Sequence, residues 1–524
     1  MKTSTVLRAC LISALLVTTA SVHAQTAAVP PLADIEKSAE AGDAAAALNA
    51  ARAYNDGAGV TRDRTKALHF FTIAADRGNA DAMKLLADAY QNGDGVTKDD
   101  KKAFDYFSKA FAANDKDANS AAQLGYAYNN GTGVAKDQAK AVSYFQKAAA
   151  LDEKNADMQA MLGYAYSEGS GVTKDTTKAI SYFEKALALN PKDSNVIAML
   201  GYAYDGGKGV NKDRQKALSY FDKAAELDNP GALAMLGYAY NNGDGVSKDA
   251  ARAFSYFQRA MAQNDKDANV AAMLGYAYNA GVGVAQDRQK ALFFFDKAGE
   301  LGNAGALAML GYAYNSGDGV EKSPEKAVAY FKRALDLDKT SGDVATMLGY
   351  AYANGAGVAQ NDAKALSYFE TGSRLGNSGS YVMLGYAYTY GKGVKKSLAK
   401  GTSYFEKGAA LGNPEAMTLA ANAYAKGEGV KADPAKAARY IEDAAKLKFK
   451  GAYVMLYSVN KKQFVAKLQT ALRGGGYYAG SSDGVAGNNT LRALRKFCEA
   501  KKLGSTCANA PFSQAAIEAY SPYL

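Results

Sequence analysis

A short frame, Gly-x-Gly-Val, recurs eleven times along this chain, and its spacing constrains the fold more than any other feature. Its first glycine stands at Gly57, Gly93, Gly131, Gly169, Gly207, Gly243, Gly281, Gly317, Gly355, Gly391 and Gly427, so successive frames lie 36 or 38 residues apart. A fixed period of that length marks stacked helical hairpins, each too small to bury its apolar face except against its neighbours. The expected fold is all-α: a right-handed α-solenoid superhelix of helix-turn-helix repeats over 33–460, about eleven units with caps.

The unit around Gly131 shows what each position is for. Leu124-Gly125-Tyr126-Ala127-Tyr128 precedes the glycines, and Asp137 opens the segment that runs through Ala141 and Tyr144 to Phe145 and Ala148. Gly131 and Gly133 suit a helix C-terminus and a turn of positive φ. Asp137 caps the second helix; the same place is held by Asp63, Asp99, Asp175, Asp213, Asp249, Asp287, Ser323, Asn361, Ser397 and Asp433, all able to accept from free N–H groups. Pro324 and Pro434 fall at the first helical position, where proline is tolerated. Leu124 and Tyr128 share a helix face and are expected in the core with Ala141, Phe145 and Ala148, while Gly125 lets the partner helix approach. Tyr144 is expected to pack between repeats.

These residues resemble the SEL-one-like repeat family, a relative of the tetratricopeptide repeat, whose pattern runs Leu-Gly-x-x-Tyr-x-x-Gly-x-Gly-Val-x-x-Asp-x-x-Lys-Ala-x-x-Tyr. In the longer units two extra residues lie between hairpins, as at Leu189-Asn190-Pro191. One position stands apart from the core: Tyr126, Tyr164, Tyr202, Tyr238, Tyr276, Tyr312, Tyr350 and Tyr386 all follow the packing glycine directly. Tyr126 lies about 200° around the helix from Leu124. By the tetratricopeptide resemblance that place faces a concave groove, together with Asn129, Asn241 and Asn279 and with alanines such as Ala122 and Ala234. Tyrosines beside amides and alanine-sized gaps can stack on and hydrogen-bond an extended ligand. They can equally pack edge to edge between repeats. Arg52, Asp88 and Asn422 replace the tyrosine near the ends, as capping repeats require.

Past residue 460 the glycines cluster instead of recurring. Leu468-Gln469, Leu472, Gly476-Tyr477-Tyr478-Ala479-Gly480, Asp483-Gly484, Gly487, Thr490, Ala493-Leu494 and Phe497 resemble, in order and spacing, a small three-helix peptidoglycan-binding domain over 461–524. Ala486 stands where that family has an aromatic, and Cys498 where it has a glutamine. Leu468, Leu472, Leu494 and Phe497 are the expected core. The resemblance points to Arg473, Tyr477, Tyr478, Asn488 and Arg492 as glycan or peptide contacts. Nine Lys and Arg against three acidic residues give this segment a net +6, which favours an anionic envelope polymer as partner. No nucleic-acid motif accompanies that charge.

Residues 1–24 carry Lys2 and Arg8, an apolar run and a small-residue site ending at Ala24, the pattern of a cleaved secretory signal, followed by a linker over 25–32. Cleavage leaves +8 of the +10 charge. The mature chain is expected in the periplasm or outside the cell, with no transmembrane segment. There Cys498 and Cys507 are expected to pair, stabilising the end segment by about 2–3 kcal/mol. No histidine or cysteine cluster has metal spacing, no nucleophile motif appears, and nothing calls for a cofactor. The Gly-Asp-Gly turns lack a calcium-loop ligand series. The reading is a non-catalytic exported scaffold that holds peptidoglycan at its C-terminus and a protein or peptide in its groove. A glycan in the groove is the alternative, and an unrecognised wall hydrolase the third.

Overall fold

The computed structural model describes residues 31–524; the expected signal peptide and most of the linker lie outside the described residues. The described residues form twenty-eight α-helices, one 3-10 turn and no β-strand. From Ala44 to Lys446 the helices alternate as A and B members of hairpins, a helical-repeat solenoid. They group into two compact units, one ending at Asp213 and the other running from Arg214 to Leu524.

Each hairpin follows from its capping residues and its glycines. Helix A of the third repeat, Ala118–Asn130, starts where Asp117 accepts from the Ser120 amide and ends at Gly131, φ 76°. Helix B, Gln138–Leu151, starts where Asp137 accepts from the Lys140 amide at 3.0 Å. The second turn glycine has a further duty. A Cβ on Gly133 would stand 2.1 Å from the Asp100 carbonyl oxygen of the preceding helix B, so the frame's last glycine lets one repeat seat on the one before. Within helix A, a Cβ on Gly125 would meet the Phe145 ring at 2.5 Å. That close approach buries Leu124 and Phe145 almost completely, and burying such side chains drives the packing at about 1.5–3 kcal/mol each.

The two repeat lengths differ in how helix B ends. In the short form, Arg288–Glu300, thirteen residues lead to Gly302 at φ 90°. In the long form, Gln138–Leu151, fourteen residues end at extended Asp152, whose side chain accepts from the Lys154 amide at 3.1 Å. One of the two extra residues therefore lengthens the helix, and only the other enters the loop.

At the C-terminus, the helix Lys450–Val459 packs on the last helix B, Pro434–Lys446, and on the end segment. Ile441, Tyr453 and Leu456 share one continuous core with Phe464, Leu468, Leu472, Leu494, Phe497 and Tyr520. The expected third helix of that segment is split into Ser505–Asn509 and Gln514–Tyr520. Pro511 stands in the gap between those two; one turn earlier, positive φ at Lys502 and Gly504 separates Asn488–Ala500 from Ser505–Asn509, and a disulfide joins Cys498 to Cys507 across that turn, Cα atoms 5.7 Å apart.

Candidate functional site

Two tyrosine rows run through the hairpins from the same A helices. In the first, each ring after the packing glycine meets edge-on the phenylalanine of its own helix B. The pairs Tyr126–Phe145, Tyr164–Phe183, Tyr238–Phe257, Tyr276–Phe295, Tyr312–Phe331, Tyr350–Phe369 and Tyr386–Phe405 have centroids 5.1 to 5.6 Å apart at 68° to 76°. Tyr202 holds the same position in sequence. Every ring of this row whose burial is described is half-buried or, like Tyr276, at 37 % exposure. Packing and accessibility therefore coexist.

The hydroxyls of this row reach the first turn of the next helix A. Tyr386 donates to Glu415 at 3.2 Å. Burial, and then the nearby carboxylate of Asp157, Asp267 or Asp343, raises the hydroxyl pKa of Tyr126, Tyr238 and Tyr312. Tyr164, beside Asp193, and Tyr386 are pushed up to about 12. All of these remain neutral donors at physiological pH.

Between successive hairpins the same register forms an alcove. That of about 270 Å³ is lined by Asn241, Ala253, Phe254, Phe257, Met273 and Tyr276. An alcove of about 290 Å³ has Ala353, Ala365, Leu366, Met383 and Tyr386 at corresponding places, together with the exposed Tyr390. In the first unit one of about 190 Å³ puts Asn55, Leu68, Leu85 and Asp88 there. The amides are less free than expected. Asn241 and Asn129 each donate to the following asparagine, and the side chain of Asn279 is held by Arg288, which also pairs with Asp318 of the next turn at 3.1 Å.

The second row lies only partly in the expected core: Tyr54, Tyr204, Tyr278 and Tyr352 are buried. Leu124 is buried, but Tyr128 is only half-buried and stacks flat on Tyr144, 5.8 Å away at 10°. Tyr144 also meets Phe111 of the preceding repeat edge-on. Lys140 lies 5.1 Å from the Tyr128 centroid and Lys147 5.0 Å from that of Tyr144. Comparable stacks form at Tyr90–Tyr106, Tyr166–Tyr182, Tyr314–Tyr330 and Tyr388–Tyr404.

In the end segment, buried Gln469 organises the glycine-rich loop. It donates to Asp483 at 2.8 Å, to the Val485 carbonyl at 3.0 Å and to Thr490 at 3.0 Å, and it accepts from the Gly484 amide at 2.9 Å. Arg473 donates to the Gly480 carbonyl at 2.7 Å and to Ser482 at 3.0 Å. Tyr478 donates to the Ser481 carbonyl, and Tyr477 packs edge-on against Phe497. These three candidates shape the loop. Asn488 and Arg492, in the first turns of the helix Asn488–Ala500, are exposed beside Val485 at 60 % exposure.

Eleven consecutive segments, from 44–79 to 414–449, match the Sel1 repeat model. The chain belongs to the Sel1 repeat family. Residues 455–503 match a putative peptidoglycan binding domain. Among solved structures, c5321, a protective antigen of uropathogenic Escherichia coli with an SLR fold, aligns at 25 % identity and TM-score 0.68, over 90 % of this chain and 95 % of that one. A Sel1 repeat protein from Oxalobacter formigenes aligns at 25 % identity and TM-score 0.42, over 47 % of this chain and 96 % of that one. No curated protein matches. Sel1 repeat scaffolds are typically non-catalytic; among the described residues no group of three or more potential metal ligands occurs, and no helix is long and apolar enough to cross a membrane.

Against the Sel1 repeat frame, the missed residues become plain. The Lys–Tyr–Tyr–Lys stacks were legible as Lys140 and Lys147 flanking Tyr144, three or four residues to either side on one helix. Nothing local marked Gln469 as buried. His69, the one histidine of the described residues, lies on the surface with Nε2 2.8 Å from Glu40.

Proposed function

We propose that this Sel1 repeat protein is an exported envelope scaffold without catalysis of its own, holding peptidoglycan through its C-terminal segment and a protein or peptide along the A helices. The observation that carries the reading is the first tyrosine row. Half-buried rings at one register, each beside an alcove of side-chain size where the alcoves are formed, are what a repeated binding surface requires. A peptide fits better than a glycan: Asn279 and the Tyr386 hydroxyl are already hydrogen-bonded within the chain, leaving apolar ring faces more than free polar groups. The match at 455–503 and the exposed Asn488 and Arg492 support the wall contact.

Two measurements on the full mature chain test this. Co-sedimentation with purified wall sacculi should survive moderate salt and fall about tenfold in the Asn488→Ala/Arg492→Ala variant; binding that disappears at modest salt alone would mean only diffuse charge attraction. Envelope-extract partners should be retained by the native chain and lost from Tyr238→Ala/Tyr276→Ala. Recovery of the same partners by that variant would refute the groove.

A further inference from the structure

The charges of the repeats are sorted by helix. The A helices from Ala118–Asn130 through Ser378–Tyr390 contain no Lys or Arg, whereas every helix B contains basic residues. Along the A side the charged groups near the tyrosine row are carboxylates: Asp157 and Asp193 in the first unit, Asp267, Asp343 and Glu415 in the second. Each lies at the start of a helix A, so each is placed beside the tyrosine of the repeat before it.

Resting on the reading of the first tyrosine row as the partner surface, we propose that its occupant is an extended peptide segment rich in lysine or arginine interspersed with apolar residues. The outer face of a neutral tyrosine attracts a cation through the ring quadrupole, and the adjoining carboxylate adds charge attraction in a partly desolvated place. The apolar residues of the segment enter the alcoves floored by Phe254, Phe257 and Met273, or by Leu366 and Met383. An acidic segment meets carboxylates with no lysine or arginine on those helices to offset them, and is rejected. The chain as a whole is basic, at +10, so a cationic ligand that binds does so against the net field and reports the local one.

The test uses three synthetic peptides of equal length, one of alternating lysine and leucine, one with glutamate replacing lysine, and one with serine replacing leucine, titrated onto the full chain. The lysine–leucine probe should bind at least about tenfold tighter than either of the others. Its affinity should fall about tenfold in Asp267→Asn/Asp343→Asn/Glu415→Gln; asparagine caps a helix as well as the aspartate at 267 does, and Asp343 and Glu415 lie inside helices capped by Ser341 and Asn413, so amides of the same shape preserve the fold. Equal or tighter binding of the glutamate probe, or an unchanged affinity in the neutralised variant, overturns the cationic preference. If that glutamate binding is still lost in Tyr238→Ala/Tyr276→Ala, the groove stands and only its charge selection falls. Lysine–leucine binding that survives the tyrosine variant lies elsewhere and overturns both readings, and no binding by any probe overturns this proposal.

Discussion

Tyr238 and Tyr240 sit two residues apart in one helix and live in different surroundings. Tyr238 leans edge-on against Phe257 with its hydroxyl toward Asp267. Tyr240 lies flat against Tyr256, with the Arg252 guanidinium 5.5 Å from its centroid. The helix turns about 200° between them. What a repeated tyrosine does is thus set by register: one row is braced by the core and open toward a partner, while the other seams helix A to helix B.

Four measurements would break or sharpen that contrast. Phe257→Ala removes the brace of the first row while leaving the Tyr240–Tyr256 stack; it should cost about 3–5 kcal/mol, read as lost amide protection across Pro230–Asn242 in hydrogen exchange. Unchanged protection would mean that the tyrosine row does not depend on its phenylalanines. Next, Tyr240→Ala should cost about 1–2 kcal/mol in urea unfolding without affecting partner binding, whereas Tyr238→Ala should cost less and abolish it. Reversed effects would exchange the roles of the rows.

The third measurement concerns pH. Near the C-terminal end the second row carries a clamp: Tyr424 donates to Glu406 at 2.7 Å, and Lys436 donates to both, at 2.7 and 2.6 Å. Burial raises the Glu406 pKa, but the hydrogen bonds from Lys436 and Tyr424 outweigh it and hold the carboxyl below its usual range. Its contribution is complete above the ordinary carboxylate value and is lost as pH falls through the lowered folded one. Lys436 is raised, chiefly by Glu406 and then by Tyr424, so its share is complete below the ordinary lysine value and is lost as pH rises through the raised folded one. Stability should therefore be flat through neutrality and fall on both flanks. Glu406→Gln should cost about 1 kcal/mol on the plateau, allowing for solvent screening, and remove this site's share of both flanks; an unaltered pH profile would count against the clamp. The smallest effect is expected for Lys140→Gln, about 0.5 kcal/mol, from loss of the cation over Tyr128. A thermal-melt shift as large as that of Tyr240→Ala would show that charge, rather than stacking, closes the seam.

Much of the fold was legible because the repeat states the same physics eleven times. Capping residues, turn glycines and the alternation of helices all follow from local backbone rules that the sequence displays directly. Tyr128 packs against the core yet is less buried than expected, because spacing along one helix shows which residues share a face and not where that face meets solvent: Leu124 points into the hairpin, while Tyr128 lies one turn on, at its seam. In the end segment, a family pattern marks Arg473 and Tyr478 without revealing whether they serve a ligand or a loop, since both uses require the same donors. Gln469 stands in the same pattern, but its burial escaped notice for the opposite reason: a glutamine is ordinarily exposed, and only the folded loop supplies the partners that make its burial tolerable.

The continuous core from Ile441 through Tyr453 to Phe464 and Tyr520 has a mechanical consequence. An anchor joined by a flexible tether lets its cargo swivel, and its reach is set by linker length. Here Tyr457 stacks on Phe512, 5.2 Å away at 2°, and meets Phe464 edge-on, so the joint is a weld. With the C-terminal segment fixed to a surface, the last hairpins would be fixed in bearing as well as in place. A pull on that anchor would load Ile441 and Leu456 directly, with no slack to take up and no linker for a protease to sever.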